Sequence, residues 1–533
     1  MVTEDRYLGD LRTRIQNAKR AIMHDVPRVP MDQRSSEKNI ASPQTTTPNI
    51  PFQSRFEGMW VVGLPGTGKT QLFQYLIARD LDLVAQGRAS IIVLDPTGDE
   101  ADPTPTLIHN LIRLKRFAPG GDLHGKLVYI DPTDTGYTLP INLFSLRPDL
   151  NDREAISSAI QTYVSIMGGL MGQPLTGFQD PPFRYAVQAA LAFAHPTLET
   201  LRRVLAVPPP ATKSYTPPPP YHQQVIDRLR PTVAEYLRTT FDSDGARRSR
   251  NELMNRLYAL SADPRFAEIF EAEETKIDFA AEIASAKVIV INASREALGD
   301  MTELYGRYFL GLIKQAADSR RIRVPCFIYI DECNEFVAND HNAVHILRKL
   351  RRRRMALVLG NQAVEDIKTP RGAFLGTAIK LVNADEDSAY ELAKNMGLRK
   401  AGGVPDTSLL VGRPPLDFAF HIRGRMHEPE SFKVPPGVME AMLKMTESEF
   451  QEIRKEIRER YYVEVHRDRP SKQTRTMLPA KTNTAAEEPV AEPVAPTQPE
   501  TKSKSEGGTD WGLPSGATAA GSDGTRNTTT HDE

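Results

Sequence analysis

Short apolar runs recur along the chain, and most of them end directly at a glycine or at a polar residue. The runs that we predict to be strands are 59–62, 90–95, 126–130, 288–291, 327–330, 356–359 and 379–382, with a candidate edge strand at 418–422. Between many of these runs, apolar side chains return every three or four positions, as in a helix with one buried face. Strands that are apolar at successive positions are typical of a parallel sheet covered by helices on both faces. The pattern therefore predicts an α/β fold with a mostly parallel sheet.

The strand pattern is interrupted in the middle of the chain, where helical periodicity takes over from about residue 152 to 280. The predicted helices there are 155–167, 184–194, 225–239 and 251–260, with interruptions at Gly168-Gly169 and at the proline runs 208–210 and 217–220. We interpret this segment as an all-α domain inserted into the α/β fold, with an exposed proline-rich loop. A solvated connector is favoured for that loop over a ligand for an SH3-type domain.

The two ends of the chain differ in composition from its centre. A short helix is predicted at about 7–23, a charged helix at 443–462, and disorder beyond about residue 467, where large apolar residues are few. The predicted segments are 1–50 (helix and flexible linker), 51–150 (first part of the α/β domain), 151–280 (helical insert), 281–435 (second part of the α/β domain), 436–466 (charged helix) and 467–533 (disordered tail).

The first predicted strand runs into a loop that fits G-x-x-x-x-G-K-[ST], and a helical pattern follows this loop. In that setting the loop N–H groups surround a β-phosphate, the lysine reaches the β- and γ-phosphate oxygens, and the hydroxyl binds Mg²⁺. The sequence therefore predicts a P-loop for a nucleoside triphosphate and Mg²⁺. The predicted nucleotide-binding residues are Gly63, Leu64, Pro65, Gly66, Thr67, Gly68, Lys69 and Thr70.

A second apolar strand ends in two acids, Asp331 and Glu332, as a Walker B site requires. Asp331 is predicted to bind Mg²⁺ together with Thr70, and Glu332 to polarise the attacking water. Gln362 follows the next strand, where its amide can reach the γ-phosphate or its water. From the pattern alone, a plain polar loop residue explains Gln362 equally well.

The densest positive stretch of the chain runs from Arg348 to Arg354. A charge run is usually a solvated face. Because this one lies between the two predicted catalytic residues in sequence, an arginine from it is also a candidate for the γ-phosphate of a neighbouring subunit, and others for a nucleic-acid backbone. His341 and His345 have helical metal-ligand spacing, but without a matching glutamate or cysteine we do not favour a metal site there.

Composition narrows the class of protein only slightly. The chain has 533 residues, 40% of them hydrophobic, and 67 basic side chains nearly balance 68 acidic ones, so bulk charge indicates no partner. Two cysteines without C-x-x-C spacing favour a reducing compartment and packing roles. No apolar run approaches the roughly 18 residues that a membrane span needs, and the N-terminus lacks an apolar signal core. We expect a cytoplasmic protein.

The order of the motifs resembles that of the FtsK–HerA motor ATPases, and especially the conjugative coupling proteins called TraD or TraG. The segment 95–99, D-P-T-G-D, resembles their D-P-x-G-[DE] signature, and 142–144 their N-P-L element. The stretch from Arg351 to Gln362 resembles R-K-x-G…Q, and Glu386-Asp387 resembles a later E-D element. Two substitutions depart from these patterns, Thr97 for a lysine and Leu143 for a proline, and the membrane helices of the conjugative proteins are missing.

This resemblance implies a RecA-like fold, a homo-hexameric ring, and ATP hydrolysis coupled to DNA translocation. It makes Arg351 the best-matched catalytic arginine supplied in trans, and Arg352, Arg353 and Arg354 candidate DNA contacts. Relaxase or secretion-channel proteins are candidate partners of the helical insert or the tail. Two alternatives remain: a secretion or pilus-assembly ATPase that acts on protein, and a nucleotide-gated adaptor. The sequence has neither N-K-x-D for guanine nor the L-S-G-G-Q of ABC ATPases.

Overall fold

The computed structural model describes residues 48–465, except 99–105, 135, 146–147, 149–151, 171–174, 210–211, 213, 319–321, 338–347, 349, 351–352 and 369–370. The helix predicted at about 7–23, the predicted disordered tail, His341 and His345 lie outside these residues. The described residues belong to one compact unit, Met1–Asp468.

Most strands of the described chain join a single mixed sheet. The strands are β1 (Met59–Gly63), β2 (Ser90–Asp95), β3 (Leu127–Ile130), β4 (Tyr137–Thr138), β5 (Val288–Asn292), β6 (Cys326–Ile330), β7 (Met355–Asn361), β8 (Ile379–Asn383), β9 (Asp417–Ile422), β10 (Glu430–Lys433) and β11 (Val463–Glu464). Their order in the nine-stranded sheet is β10-β9-β8-β1-β7-β6-β2-β5-β3. From β8 to β3 every neighbouring pair is parallel, whereas β9 and β10 pair antiparallel. The predicted RecA-like α/β fold with a mostly parallel sheet is confirmed.

The described helices surround this sheet or form the segment inserted between β4 and β5. They are α1 (Lys69–Ala85), α2 (Leu107–Ile112), α3 (Arg153–Leu170), α4 (Asp180–Leu191), α5 (Leu198–Leu205), α6 (Pro231–Thr239), α7 (Asp244–Ser261), α8 (Pro264–Phe270), α9 (Phe279–Ala284), α10 (Arg295–Leu298), α11 (Met301–Asp318), α12 (Asn334–Val337), α13 (Arg371–Leu375), α14 (Glu386–Met396) and α15 (Glu447–Tyr461). Strands β1, β2, β3, β5, β6, β7 and β8 are buried at every position, which explains their continuous apolar sequences.

Two helix predictions for the inserted segment need correction. The single helix predicted at 225–239 is a 3-10 helix, Tyr221–Arg228, followed by α6, because Pro231 has no N–H for a helix interior but fits a first helical position. The Gly168-Gly169 pair does not interrupt a helix, since it lies inside α3. Glycine in a helix costs only about 1 kcal/mol, which neighbouring turns offset.

The position predicted for the sheet edge also needs correction. β9 was the candidate edge strand, but β10 lies outside it and forms the edge. Only Phe432 of β10 is buried, so this strand lacks the apolar run from which the others were predicted. Exposed, charged side chains are common on edge strands because they discourage pairing with other chains.

The parallel strands share one feature that positions the candidate site. Each ends at, or is followed directly by, a glycine or a polar residue, and these residues are Gly63, Asp95, Asp131, Asn292, Asp331, Asn361 and Asn383. Because the strands are parallel, all of these residues lie along the same edge of the sheet. In open α/β sheets this is the edge at which ligands bind.

Candidate nucleotide site

The loop between β1 and α1 has the backbone conformation that its glycines allow. Gly66 and Gly68 have φ of 78° and 95°, a region that side chains disfavour. A Cβ on Gly63 would lie 2.7 Å from Oγ1 of Thr67, whose hydroxyl donates to the Leu64 carbonyl oxygen at 2.7 Å. The loop is therefore a tight turn that enters α1 at Lys69.

Lys69 and Thr70 begin α1 and lie at the positive end of its dipole. The first N–H groups of a helix have no partner within it, so this terminus favours an anion. Lys69 Nζ donates to the Gly63 carbonyl oxygen at 2.8 Å and lies 3.5 Å from Oε1 of Glu332. Thr70 is exposed beside it. The ammonium is thus held at the mouth of the loop.

A loop that the sequence analysis did not single out supports the P-loop from one side. The Leu64 N–H donates to the Asn383 carbonyl oxygen at 3.1 Å, and Asn383 Nδ2 donates to three carbonyl oxygens of residues 413–417. The Leu416 N–H donates to the Thr67 carbonyl oxygen at 2.9 Å. Leu416 has φ of 65°, which is strained for leucine. Asn383 therefore joins this loop to the P-loop.

The predicted Walker B acids follow β6, at the same edge of the sheet. Asp331 is buried, and its Oδ1 accepts the Glu332 N–H at 3.0 Å. Glu332 has φ of 39°, a strained conformation of the kind that clusters at active sites. Gln362 Nε2 donates to Glu332 Oε1 at 3.2 Å. The structure thus brings two predicted residues, Lys69 and Gln362, to the carboxylate of a third, Glu332.

Negative charge exceeds positive charge at this point. Burial, with the charges of Asp95 and Glu332, raises the pKa of Asp331 to about 7, against the opposing effect of Lys69. Burial likewise raises the pKa of Asp95, although Thr97 donates two hydrogen bonds to it. The Lys69 ammonium acts on Asp331 and lies beside Glu332, and a divalent cation would add positive charge to these carboxylates. The hydroxyl and carboxylate oxygens of Thr70 and Asp331 are the hard ligands that Mg²⁺ requires, so these residues fit it.

The candidate arginines lie elsewhere or outside the described residues. Arg351 and Arg352 are among the residues that the structure does not describe. Arg353 and Arg354 are exposed and precede β7, at its opposite end from Gln362. A seven-residue strand is about 20 Å long, so neither faces the nucleotide loop of its own chain. Arg353 Nε lies 3.5 Å from Asp318 Oδ1.

Two other motif elements make local contacts. Nδ2 of Asn142 donates to the carbonyl oxygens of Pro196 and Glu273 at 2.9 and 2.8 Å, which ties the end of the first sheet segment to the helical insert. Glu386, in the first turn of α14, accepts the Thr407 hydroxyl at 2.7 Å. Both residues therefore stabilise connections between elements.

No family model matches this chain, and no curated protein matches it. Among solved structures, the plasmid coupling protein TrwB in complex with ADP and Mg²⁺ has a TM-score of 0.49 and 13% identity, over 74% of this chain and 87% of that one. A trigonal form of the bacterial conjugative coupling protein TrwBdeltaN70 with sulphate has a TM-score of 0.49 and 14% identity, over 72% and 87%. VirB4 of Thermoanaerobacter pseudethanolicus has a TM-score of 0.46 and 14% identity, over 72% and 91%.

TrwB has also been solved with the ATP analogue ADPNP. Across the helices that the structure describes, none combines the length and apolar character that crossing a membrane would require.

Proposed function

We propose that this chain is an ATPase that binds ATP with Mg²⁺ in the loop between β1 and α1. The observation that carries the proposal is the convergence of Lys69 and Gln362 on Glu332, beside a helix N-terminus and an excess of carboxylates. Solved structures of TrwB contain ADP with Mg²⁺, or ADPNP, which is the ligand chemistry that this site would take.

The residues of the chain divide the work of hydrolysis among them. The N–H groups of the P-loop hold the β-phosphate, and the Lys69 ammonium moves from Gly63 and Glu332 to the β- and γ-phosphate oxygens. Glu332, freed from the ammonium, accepts a proton from the attacking water, while Gln362 keeps its carboxylate and the water oriented. Thr70 and Asp331 would hold Mg²⁺, which would supply positive charge to the phosphate oxygens.

Two substitutions test the ATPase. Lys69→Ala should abolish binding of a fluorescent ATP analogue, because the phosphates lose their charge partner. Glu332→Gln should bind the analogue as the wild type does but lower the hydrolysis rate about 10²- to 10⁴-fold. Glu335→Gln is a matched control, since this nearby acid pairs with Arg295 at 3.2 Å on an exposed face. Wild-type turnover by Glu332→Gln would contradict its catalytic role.

We further propose that hydrolysis moves DNA through a homo-hexameric ring, with Arg351 supplied in trans and Arg352, Arg353 and Arg354 at the phosphate backbone. The motif order supports this, as does the exposure of Arg353 and Arg354 away from the nucleotide of their own chain. A translocase couples turnover to backbone contact, so DNA should raise the ATPase rate. That stimulation should fall steeply from low to physiological salt and depend little on base sequence.

The measurement is steady-state ATPase activity against DNA concentration at two salt levels. Neutralising Arg352 and Arg353 together should lower the salt dependence, whereas neutralising Arg423 and Arg425, two exposed arginines between β9 and β10, should not. A rate that is flat in DNA would leave the ATPase standing and favour a protein substrate. Slow turnover that no added partner changes would favour the nucleotide-gated adaptor.

A further inference from the structure

Two strands of the sheet lead into turns with the same three residues, Asp-Pro-Thr, and the two turns have the same hydrogen bonds. After β2, Oδ1 of Asp95 accepts the N–H of Thr97 at 2.8 Å and its hydroxyl at 2.6 Å. After β3, Oδ1 of Asp131 accepts the N–H of Thr133 at 2.9 Å and its hydroxyl at 2.6 Å. Each threonine therefore holds one oxygen of its aspartate and leaves Oδ2 for another partner.

The second oxygens have opposite surroundings. Oδ2 of Asp131 accepts a hydrogen bond from the Arg454 guanidinium of α15 at 2.8 Å. Oδ2 of Asp95 is buried and has no hydrogen-bond partner among the residues that the structure describes. A buried carboxylate oxygen without a partner costs folding free energy, and such groups are rare in native proteins. Because the two turns have the same hydrogen bonds, the difference must come from the residues that surround each Oδ2.

The neighbours of Asp95 are the predicted magnesium ligand and the predicted catalytic acid. β2 pairs with β6 in parallel, and the Asp331 N–H donates to the Leu94 carbonyl oxygen at 3.1 Å. Asp95 and Asp331 therefore lie at the carboxyl ends of two neighbouring strands. The charge of Glu332 also acts on Asp95. The unpaired oxygen lies in the acidic cluster of the nucleotide site.

We propose that the partner of Asp95 Oδ2 is the hydrated Mg²⁺ of the bound nucleotide, whose water donates a hydrogen bond to this oxygen. The inference rests on the proposed ATPase. Mg²⁺ keeps several of its waters when it binds through one or two carboxylates and phosphates, so acceptors around those waters help to position it. Asp95, oriented by Thr97, is thus a positioning residue that acts on the ion through its water, whereas Asp131 has its cation within the chain.

The test compares the two aspartates in the full chain. The midpoint of the Mg²⁺ titration is measured from the fluorescence of bound 2′/3′-N-methylanthraniloyl-ADP, and affinity for the same nucleotide is measured in EDTA. Asp95→Asn turns the acceptor into an amide donor, so its midpoint should rise about 10- to 100-fold, the usual cost of losing an outer acceptor. Its affinity in EDTA should not fall, because the variant removes a negative charge near the phosphates. Asp131→Asn should leave the midpoint unchanged.

The outcomes separate the inference from the proposed function. If the wild type binds no nucleotide with or without Mg²⁺, the proposed ATPase fails. If it binds with a Mg²⁺ dependence that Asp95→Asn does not alter, the inference is overturned and the ATPase stands. Without Mg²⁺, Asp95→Asn should also melt at a higher temperature than the wild type, because an unpaired buried charge is gone.

A second variant covers the case in which Asp95→Asn does not fold. Thr97→Val keeps the carboxylate and removes only the hydroxyl that orients it, at an exposed position. Its Mg²⁺ midpoint should rise by less than that of Asp95→Asn, and Thr133→Val is the matched control. A Thr97→Val midpoint equal to that of the wild type would overturn the inference.

Discussion

The carboxyl end of β3 and those of β2 and β6 carry the same kind of side chain in opposite electrostatic surroundings. At β3, Asp131 lies 2.8 Å from Arg454 and Asp134 lies 2.6 Å from Arg458, so two arginines of α15 balance two aspartates. We call this group the clamped end. At β2 and β6, the charges of Asp95, Asp331 and Glu332 act on one another, and the Lys69 ammonium, 3.5 Å from Glu332, acts on Glu332 and Asp331. We call this group the open end.

This difference separates strand ends whose charges are balanced within the fold from those at which we propose that a ligand binds. The clamped end is complete without any other molecule, because its charges balance and Tyr462 of the same region accepts the Asp131 N–H at 2.7 Å. The open end carries an excess of negative charge that the described chain does not balance. An aspartate at a strand end is therefore weak evidence for a site until its partners are known.

Removing the cation of the clamped end should destabilise the fold more than any other change considered for the two ends. Arg454→Met leaves Asp131 buried without its guanidinium, so the free energy of unfolding should fall by about 3–5 kcal/mol. Urea denaturation measures the change. Adding Asp131→Asn to Arg454→Met should restore much of the loss, because no unpaired charge then remains. A loss below about 1 kcal/mol would show that the two ends do not differ as proposed.

The second prediction concerns pH at the open end without Mg²⁺ or nucleotide. The pKa of Asp331 is about 7 in the folded chain, against a usual 3.8. Between these values the folded state binds more protons than the unfolded state, so stability should fall as pH rises and level off above about 7. Over that interval the loss is at most about 4 kcal/mol, the value for a three-unit shift.

Asp331→Asn tests this dependence. Melting temperatures in EDTA at about pH 5 and pH 8 should differ less in the variant than in the wild type. Asp134→Asn, at the clamped end, is the comparison, and should not flatten the profile in this way. If the melting temperature changed by the same amount over this interval in the wild type and in Asp331→Asn, the assigned shift would be wrong.

The sequence alone predicted most of the strands at the two ends, and some of the residues that lie there. The strands of both ends were predicted because each is a continuous apolar run. The P-loop and the pair Asp331 and Glu332 were predicted because local spacing defines them. β4, β10 and β11 were missed, since each has at most four residues and is partly exposed.

The different partners of the two Asp-Pro-Thr turns could not be predicted, because the three residues are the same in both turns. What separates them is Arg454, which lies 323 positions from Asp131 along the chain. The role of Asn383 was hidden for the same reason, as its amide joins two loops that only the fold brings together. Tertiary contacts of this length leave no local periodicity or motif.

An exposed ion pair of α15 tests whether the stability of the clamped end depends on burial or on the number of ion pairs. Arg113 and Glu447 form an additional pair at the start of α15, 2.6 Å apart, but 61% of the Glu447 side chain is exposed. Glu447→Gln removes one charge where water screens it, so the free energy of unfolding should change by less than about 1 kcal/mol. Urea denaturation beside Arg454→Met gives the ratio of the two effects. Because Arg113 also lies 4.3 Å above the Phe450 ring, it keeps a partner in the variant. If both variants lost the same free energy of unfolding, α15 would be held by the sum of its surface charges. The ion pair with Arg454 would then not be what distinguishes Asp131 from Asp95.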